Sequence, residues 1–279
     1  MDSLVFSLLI VSAICHASWN AVAKSSDDPW VSMAIGNSIR GIICFFLLFV
    51  FPIPTAESWP YLLASALAHM FYYVGVSLGY RLGDLSQVYP IQRGIAPLLI
   101  VFGAYVFAGE VVSVQGFLGI FIISTSILGL TLTKNRELNN KKATWCALFT
   151  GTMIATYTIF DGLGGRLSGN VFGYIVWLFF LDGIPFSLAV FYIRRKSIKQ
   201  VFKQEIKAGF GVGILGSFAY ATAIWALTFA PIAYVSALRE TSVIIAVWIG
   251  CRLLKEPFGF KRIVVAVFIT LGVFFLQSS

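Results

Sequence analysis

The stretch Ile263-Val-Val-Ala-Val-Phe-Ile-Thr-Leu-Gly-Val-Phe-Phe-Leu276 decides the fold class. It does not alternate polar with apolar residues, and neither does Gly41-Ile-Ile-Cys-Phe-Phe-Leu-Leu-Phe-Val-Phe51. A membrane β-strand would alternate over about ten positions. An apolar run of about 20 residues crosses a bilayer as a helix. Backbone in lipid must satisfy its own hydrogen bonds, so these blocks read as membrane helices.

The rest of the chain repeats the theme. Of its 279 residues 58% are hydrophobic and 11% charged, whereas a soluble domain carries about 25% charged residues. Too few charges are present to cover a water-soluble globule. Spans are expected at roughly 3–23, 30–51, 59–80, 86–107, 113–132, 144–164, 171–193, 207–229, 231–252 and 262–277, an all-α polytopic membrane protein of ten transmembrane helices. Lys134–Lys142 and Arg194–Lys207 read as long basic loops. The other connections are tight, marked by Asp27-Asp28-Pro29, Pro52-Ile-Pro54, Gly109-Glu110 and Pro257. The first apolar run follows no basic segment and continues to about Ala23, so it is expected to be a retained span rather than a cleaved signal.

The net charge of +8 fits cytoplasmic loops rich in Lys and Arg and does not point to nucleic acid, since no basic stripe is interleaved with stacking aromatics. Cys15, Cys44, Cys146 and Cys251 are widely spaced inside apolar blocks and read as small core residues, not disulfides or metal ligands.

Displaced by 146 residues, the chain matches itself in outline. Arg93 falls on Arg239 and Glu110 on Glu256, and spans one to five fall on six to ten. This predicts two units of five helices, residues 1–139 and 140–279. Five is odd, so the second unit enters the membrane from the opposite side. Such inverted repeats are an architecture of secondary transporters, with the substrate site near the midplane between the halves. Sixteen Lys and Arg lie on one set of loops and span ends, against Arg166 alone on the other face. The positive-inside rule then puts both termini outside the cytoplasm.

A charge at bilayer depth costs about 3 kcal/mol even on insertion scales, so it faces a cavity or a partner. Arg40, Arg93, Asp161, Asp182 and the pair Arg239-Glu240 all fall within expected spans. Each reads either as a functional group or as half of a buried ion pair that fixes packing. Neighbours on a helix point about 100° apart, so either Arg239 or Glu240 is expected to pair with another helix.

In Tyr89-Pro-Ile-Gln-Arg93-Gly-Ile-Ala-Pro97, Pro90, Arg93, Gly94 and Pro97 share a helix face. The prolines kink the helix and free carbonyls, which is tolerated in a membrane where protein or cavity water satisfies them. A kinked face with an Arg able to grip a carboxylate bidentately reads as a cavity wall; the alternative is a static bend. Removing the Arg93 side chain is expected to abolish transport without preventing insertion. His16, Asn20 and Lys24 form a polar stripe beside Trp19, which should face the interior, although Lys24 can snorkel and Trp19 can belong to an aromatic belt. His69, Tyr73 and Tyr80 share a face, as do Tyr157, Asp161 and Gly164. His16 and His69 are candidate proton carriers, with simple hydrogen bonding as the alternative. Asp161 reads as a proton or cation site or as a partner of Arg166. Trp177 and Tyr220 are candidates for cavity lining, with packing the preferred reading. Glu110 and Glu256, just before the fifth and tenth spans, read as caps of those helices. No HExxH, GxSxG, Walker loop or Cys/His metal spacing occurs, so neither an enzyme, an ATP-driven pump, a metal nor a cofactor is expected.

His16-Ala-Ser-Trp-Asn-Ala-Val-Ala-Lys24, Gly83-Asp-Leu-Ser-Gln-Val-Tyr-Pro-Ile-Gln-Arg93-Gly-Ile-Ala-Pro97 and Leu238-Arg-Glu-Thr-Ser242, with the two loop-plus-Glu boundaries, resemble the EamA type of the drug/metabolite transporter superfamily. The resemblance covers the whole chain. It implies a five-plus-five inverted repeat around a central cavity, and transport of amino acids, nucleobases, sugars or related metabolites without ATP. Members are usually described with both termini cytoplasmic; the loop charges of this chain give the opposite orientation, and that is the one expected.

The expectation is therefore a secondary carrier or exporter of a small anionic or zwitterionic metabolite such as an amino acid, working by alternating access in a plasma (bacterial inner) membrane. Substrate binding is expected of Arg93, Arg40, Arg239, Tyr89, Trp19, Asn20, Tyr73 and Tyr157, and coupling of Asp161, Glu240, His16 and His69. The partners are the metabolite and the bilayer, not nucleic acid, with a homodimer left open. The competing class, a non-transporting sensor or assembly subunit, would depend on its loops, most of which are short.

Overall fold

The computed structural model describes residues 2–82, 85–130, 141–196, 198–252 and 260–278, and its regular structure among these is helical. The helices are α1 (Ser3–Ser25), α2 (Pro29–Leu47), α3 (Trp59–Leu82), α4 (Leu85–Ala108), α5 (Val114–Gly129), α6 (Lys141–Leu167), α7 (Val171–Ile193), α8 (Ile198–Leu227), α9 (Ile232–Arg239), α10 (Ser242–Arg252) and α11 (Phe260–Gln277). Six of them, α1, α2, α4, α6, α7 and α8, are long and apolar enough to cross a membrane, and α5 and α11 are shorter apolar helices.

Local chemistry sets the boundaries. Asp2, Asp28, Ser113 and Asn170 accept backbone N–H groups in the first turns of α1, α2, α5 and α7, satisfying donors that have no partner within the helix. Pro29 opens α2, where its missing N–H costs nothing. Gly109 and Gly169, just past α4 and α6, adopt φ of 65° and 69°, the left-handed turn that glycine makes at a helix end.

Three expectations are corrected. The ninth segment, 231–252, is not one helix: it breaks at Glu240-Thr241 into α9 and α10. An ion pair from Glu240 to Arg93 of α4 lies at that break, as described below. The stretch 198–206, expected as loop, is the first part of α8. Val201 packs against the cluster of Val31, Ala34, Ile35, Phe186 and Val190. Four residues on, the buried Glu205 accepts the backbone N–H groups of Asp27 and Asp28, both at 3.0 Å. The α2 helix also ends sooner than expected, at Leu47. Gly83, Asp84, Lys134, Arg136, Glu256 and Pro257 lie outside the described residues, as do the side chains of Lys24, Tyr80 and Cys251.

The helices pair across the chain: α1 with α8 and α10, α2 with α7 and α8, α3 with α6 and α7, α4 with α6, and α5 with α11. Where α2 crosses α8 the backbones touch. A Cβ on Gly36 would lie 2.8 Å from the Gly213 nitrogen and 2.9 Å from the Gly209 oxygen. Small residues permit this approach, a packing mode suited to membranes where dispersion replaces the hydrophobic effect. The outer surface is strongly apolar, with Phe46, Phe49, Trp145 and Phe274 among many exposed large side chains. An apolar surface of that extent fits lipid and not water.

Candidate functional site

Among the described residues the charges at bilayer depth pair off with one exception of each sign. Arg40 of α2 donates through Nη2 to Asp182 Oδ1 of α7 at 2.6 Å and to the Tyr73 hydroxyl at 3.4 Å, while its guanidinium lies 4.5 Å from the Phe179 ring centre. Arg93 of α4 donates through Nε to Glu240 Oε2 at 2.9 Å. Both pairs are almost fully buried, at 9% and 1% exposure for the first and 5% and 2% for the second. Glu240 thus turns to α4, as the 100° offset from Arg239 requires of one of the two. Arg239, at 6% exposure, has no carboxylate within ion-pair distance among the described residues and lies 5.2 Å over the Tyr220 ring. Asp161 is fully buried and likewise has no cation partner among them. Its oxygens accept the hydroxyls of Tyr174 (3.0 Å) and Tyr220. Gly164 makes room for this: a Cβ there would sit 2.6 Å from the Tyr174 ring.

A small cavity of about 80 Å³ lies among α1, α2, α3, α6, α8 and α9. Of the residues expected to bind substrate, Trp19, Arg40, Tyr73, Tyr157 and Arg239 line it, and so do His16 and His69. Arg93, Tyr89, Asn20, Asp161 and Glu240 do not. Asn20 instead donates to the His16 carbonyl on its own helix at 2.8 Å, and Tyr89 packs against the large core cluster around α9. His16 Nδ1 accepts from Trp19 Nε1 at 3.3 Å. His69 Nδ1 lies 2.9 Å from the Ser65 carbonyl oxygen. A carbonyl only accepts, so that nitrogen carries the proton and Nε2 is the open one. The His69 ring stacks on Tyr157 at 4.0 Å.

Asn37, Gly213, Gly216 and Ser217 also line the cavity without having stood out in the sequence. The run Gly209-x-Gly211-x-Gly213-x-x-Gly216 in an apolar block is the signal that points to them. Tyr220, expected mainly to pack, bridges the two unpaired charges. Trp177 packs edge-on against Trp59 at 5.0 Å. A second, apolar cavity of about 620 Å³ lies between α2, α7 and α8. It shares Arg40, Gly213 and Ser217 with the first, and its rim includes the exposed Ile43, Phe172, Ile214 and Phe218.

Glu110 is a cap, but not of α5, whose N-terminus Ser113 already holds. It accepts from the Ile232 N–H of α9 at 2.7 Å and pairs with Arg166 at 2.7 Å. Arg166 also donates to the carbonyls of Leu227 and Ala230, both at 2.9 Å. Arg166 is therefore engaged away from Asp161. Together the two residues tie the end of α6 to the α8–α9 turn.

A bundle of long apolar helices with a lipid-compatible exterior and buried charges around an internal cavity defines an integral multi-pass membrane protein. Residues 141–278 match the EamA-like transporter family, and the chain belongs to that family, part of the drug/metabolite transporter superfamily. The family is one of membrane transporters, not of enzymes. No curated protein matches the sequence. Among 27 solved chains that match in fold, one titled only "Crystal structure of protein" aligns with 100% of this chain and 98% of its own length. Its TM-score is 0.77 at 14% identity, a likeness of fold alone.

Proposed function

We propose that this chain is a secondary carrier that moves a small carboxylate-bearing metabolite, such as an amino acid, by alternating access between two inverted five-helix units, residues 1–139 and 140–279, with α9 and α10 together forming the ninth of ten spans. The carrying observation is Arg239. It is a buried guanidinium at a helix break, facing a cavity, with no carboxylate in contact among the described residues. Broken helices at a midplane site are how carriers present charge and free backbone groups to a ligand. Arg40 and Arg93 have their counter-ions; Arg239 has an aromatic face and a hollow in front of it. An arginine fork matches a carboxylate bidentately, with Trp19, Tyr157 and Tyr220 around it.

The helix pairing supports the repeat. Exchange of the two halves turns α1–α8 into α6–α3, and α2–α8 into α7–α3, and it turns α1 with α9 and α10 into α6 with α4; each of these pairs is in contact. The family match also begins at residue 141, at the start of the second unit. An 80 Å³ cavity holds only a few waters, so this conformation is closed around the site and a metabolite enters when the halves part. The Arg93–Glu240 and Arg40–Asp182 pairs both join the halves. The basic loops face the cytoplasm and the termini the other side of a bacterial inner membrane.

Counterflow of a radiolabelled amino-acid mixture into vesicles containing the purified protein tests this. Arg239→Ala should lower the rate roughly tenfold or more, the loss of hydrogen bonds to a charged group. Arg239→Lys, which keeps the charge without the fork, should fall between. Wild-type counterflow by Arg239→Ala refutes the assignment.

A further inference from the structure

Arg40–Asp182 and Arg93–Glu240 account for two cations and two anions at bilayer depth. Among the described residues this leaves Arg239 and Asp161, and they sit on two sides of one side chain. The Arg239 guanidinium lies over the Tyr220 ring at 5.2 Å, and the Tyr220 hydroxyl donates to Asp161 Oδ2. Tyr174 occupies the other carboxyl oxygen. A carboxylate taken from water without a contacting cation is costly, and the cost falls away when it takes a proton.

We propose that Asp161 is a proton-binding site coupled through Tyr220 to Arg239, so that a proton and an anionic substrate group bind cooperatively and are carried together. This rests on the reading of Arg239 as the substrate's anchor. The groups facing the site are Ser65 and His69 of α3, Tyr157 of α6 itself, Tyr174 and the more distant Asp182 of α7, Tyr220 of α8 and Arg239 of α9. Arg93 of α4 acts on Tyr157 and on His16 of α1, and His16 and Glu240 lie in the field of Arg239. Asp182 is held by Arg40 and Arg93 is held by Glu240, so Asp161 and Arg239 are the two members whose balance is open.

The sign follows from charge. With Asp161 ionised, its field partly neutralises Arg239 and an incoming carboxylate gains less. With Asp161 protonated, the carboxyl becomes a donor, the negative charge is gone, and Arg239 is left for the substrate. By reciprocity the bound anion raises the proton's affinity by the same factor. A proton and a monocarboxylate then move with no net charge, and a proton and a zwitterionic amino acid with a net charge of +1.

Two measurements on the purified full-length protein separate this inference from the reading it rests on. Infrared difference spectra between acid and alkaline pH need no substrate. Wild type should show the C=O stretch of a carboxylic acid that is absent from Asp161→Asn and shifted in Tyr220→Phe, a variant that keeps the ring under Arg239. An identical band in wild type and Asp161→Asn overturns the proposal. Thermal-shift titration with the proteinogenic amino acids and short carboxylic acids, compound by compound, gives the linkage. The stabilising compound should bind roughly tenfold more tightly at acid pH, within the usual range of coupling between sites. Asp161→Asn should bind at the tight level at both pH values. Equal affinity in wild type at both, or tighter binding at alkaline pH, overturns the coupling. If no compound stabilises the wild type, Arg239 is not the anchor and the cooperative binding falls with it, while the infrared band still decides whether Asp161 takes the proton.

Discussion

Arg40 and Asp182 offer a sharp test of structure against function. Their contact is 2.6 Å, and their side chains are 9% and 1% exposed. Removing one partner of such a pair leaves an uncompensated buried charge and costs about 3–5 kcal/mol, whereas removing both charges together is often close to neutral. Arg40→Met and Asp182→Asn should therefore each destabilise by about 3–5 kcal/mol. The double variant should be more stable than either single one, because neither a lone guanidinium nor a lone carboxylate remains among Phe179, Tyr73 and Cys44. Denaturant unfolding in micelles, followed by tryptophan fluorescence, gives the three differences, and counterflow on the same preparations gives activity. The double variant should still transport. Additive single costs would refute the pairing. Full stability with lost transport in Arg40→Met would make Arg40 a substrate contact instead.

Two further outcomes follow from the packing and the end of the bundle. Gly213→Ala places a Cβ 2.9 Å from the Gly36 oxygen, so α2 and α8 must separate; overpacking of this kind costs about 1–3 kcal/mol and should appear as a lowered unfolding midpoint in the same assay. Glu110→Ala removes the acceptor of the Ile232 N–H and the partner of Arg166; loss of a cap is worth about 1 kcal/mol, and amide exchange across 227–234 should speed up roughly fivefold.

Helix positions were largely legible in the residues because the signals are local. Asn170 before an apolar run and Arg194 after it bound α7 at Val171–Ile193, the range expected. The break at Glu240-Thr241 was not legible, since no proline or glycine marks it and apolar residues continue on both sides. The 198–206 stretch is polar in composition, and its helical spacing of Val201 and Glu205 gains meaning only when α2 and the turn before it are in place. The site divides in the same way. Prolines around Arg93 mark a local peculiarity of α4 and draw attention there, yet whether an arginine is free depends on which carboxylate the fold brings to it. Glu240 reaches Arg93 across 147 positions of chain, and Asp182 reaches Arg40 across 142. What remains open, Arg239, is a residue whose own neighbourhood says little.

The most direct measurement is a structure with a transported metabolite bound. The account predicts its carboxylate on the Arg239 guanidinium at about 2.7–2.9 Å, with Arg40 still on Asp182. A carboxylate held by Arg40 or Arg93, with Arg239 out of contact, would contradict it.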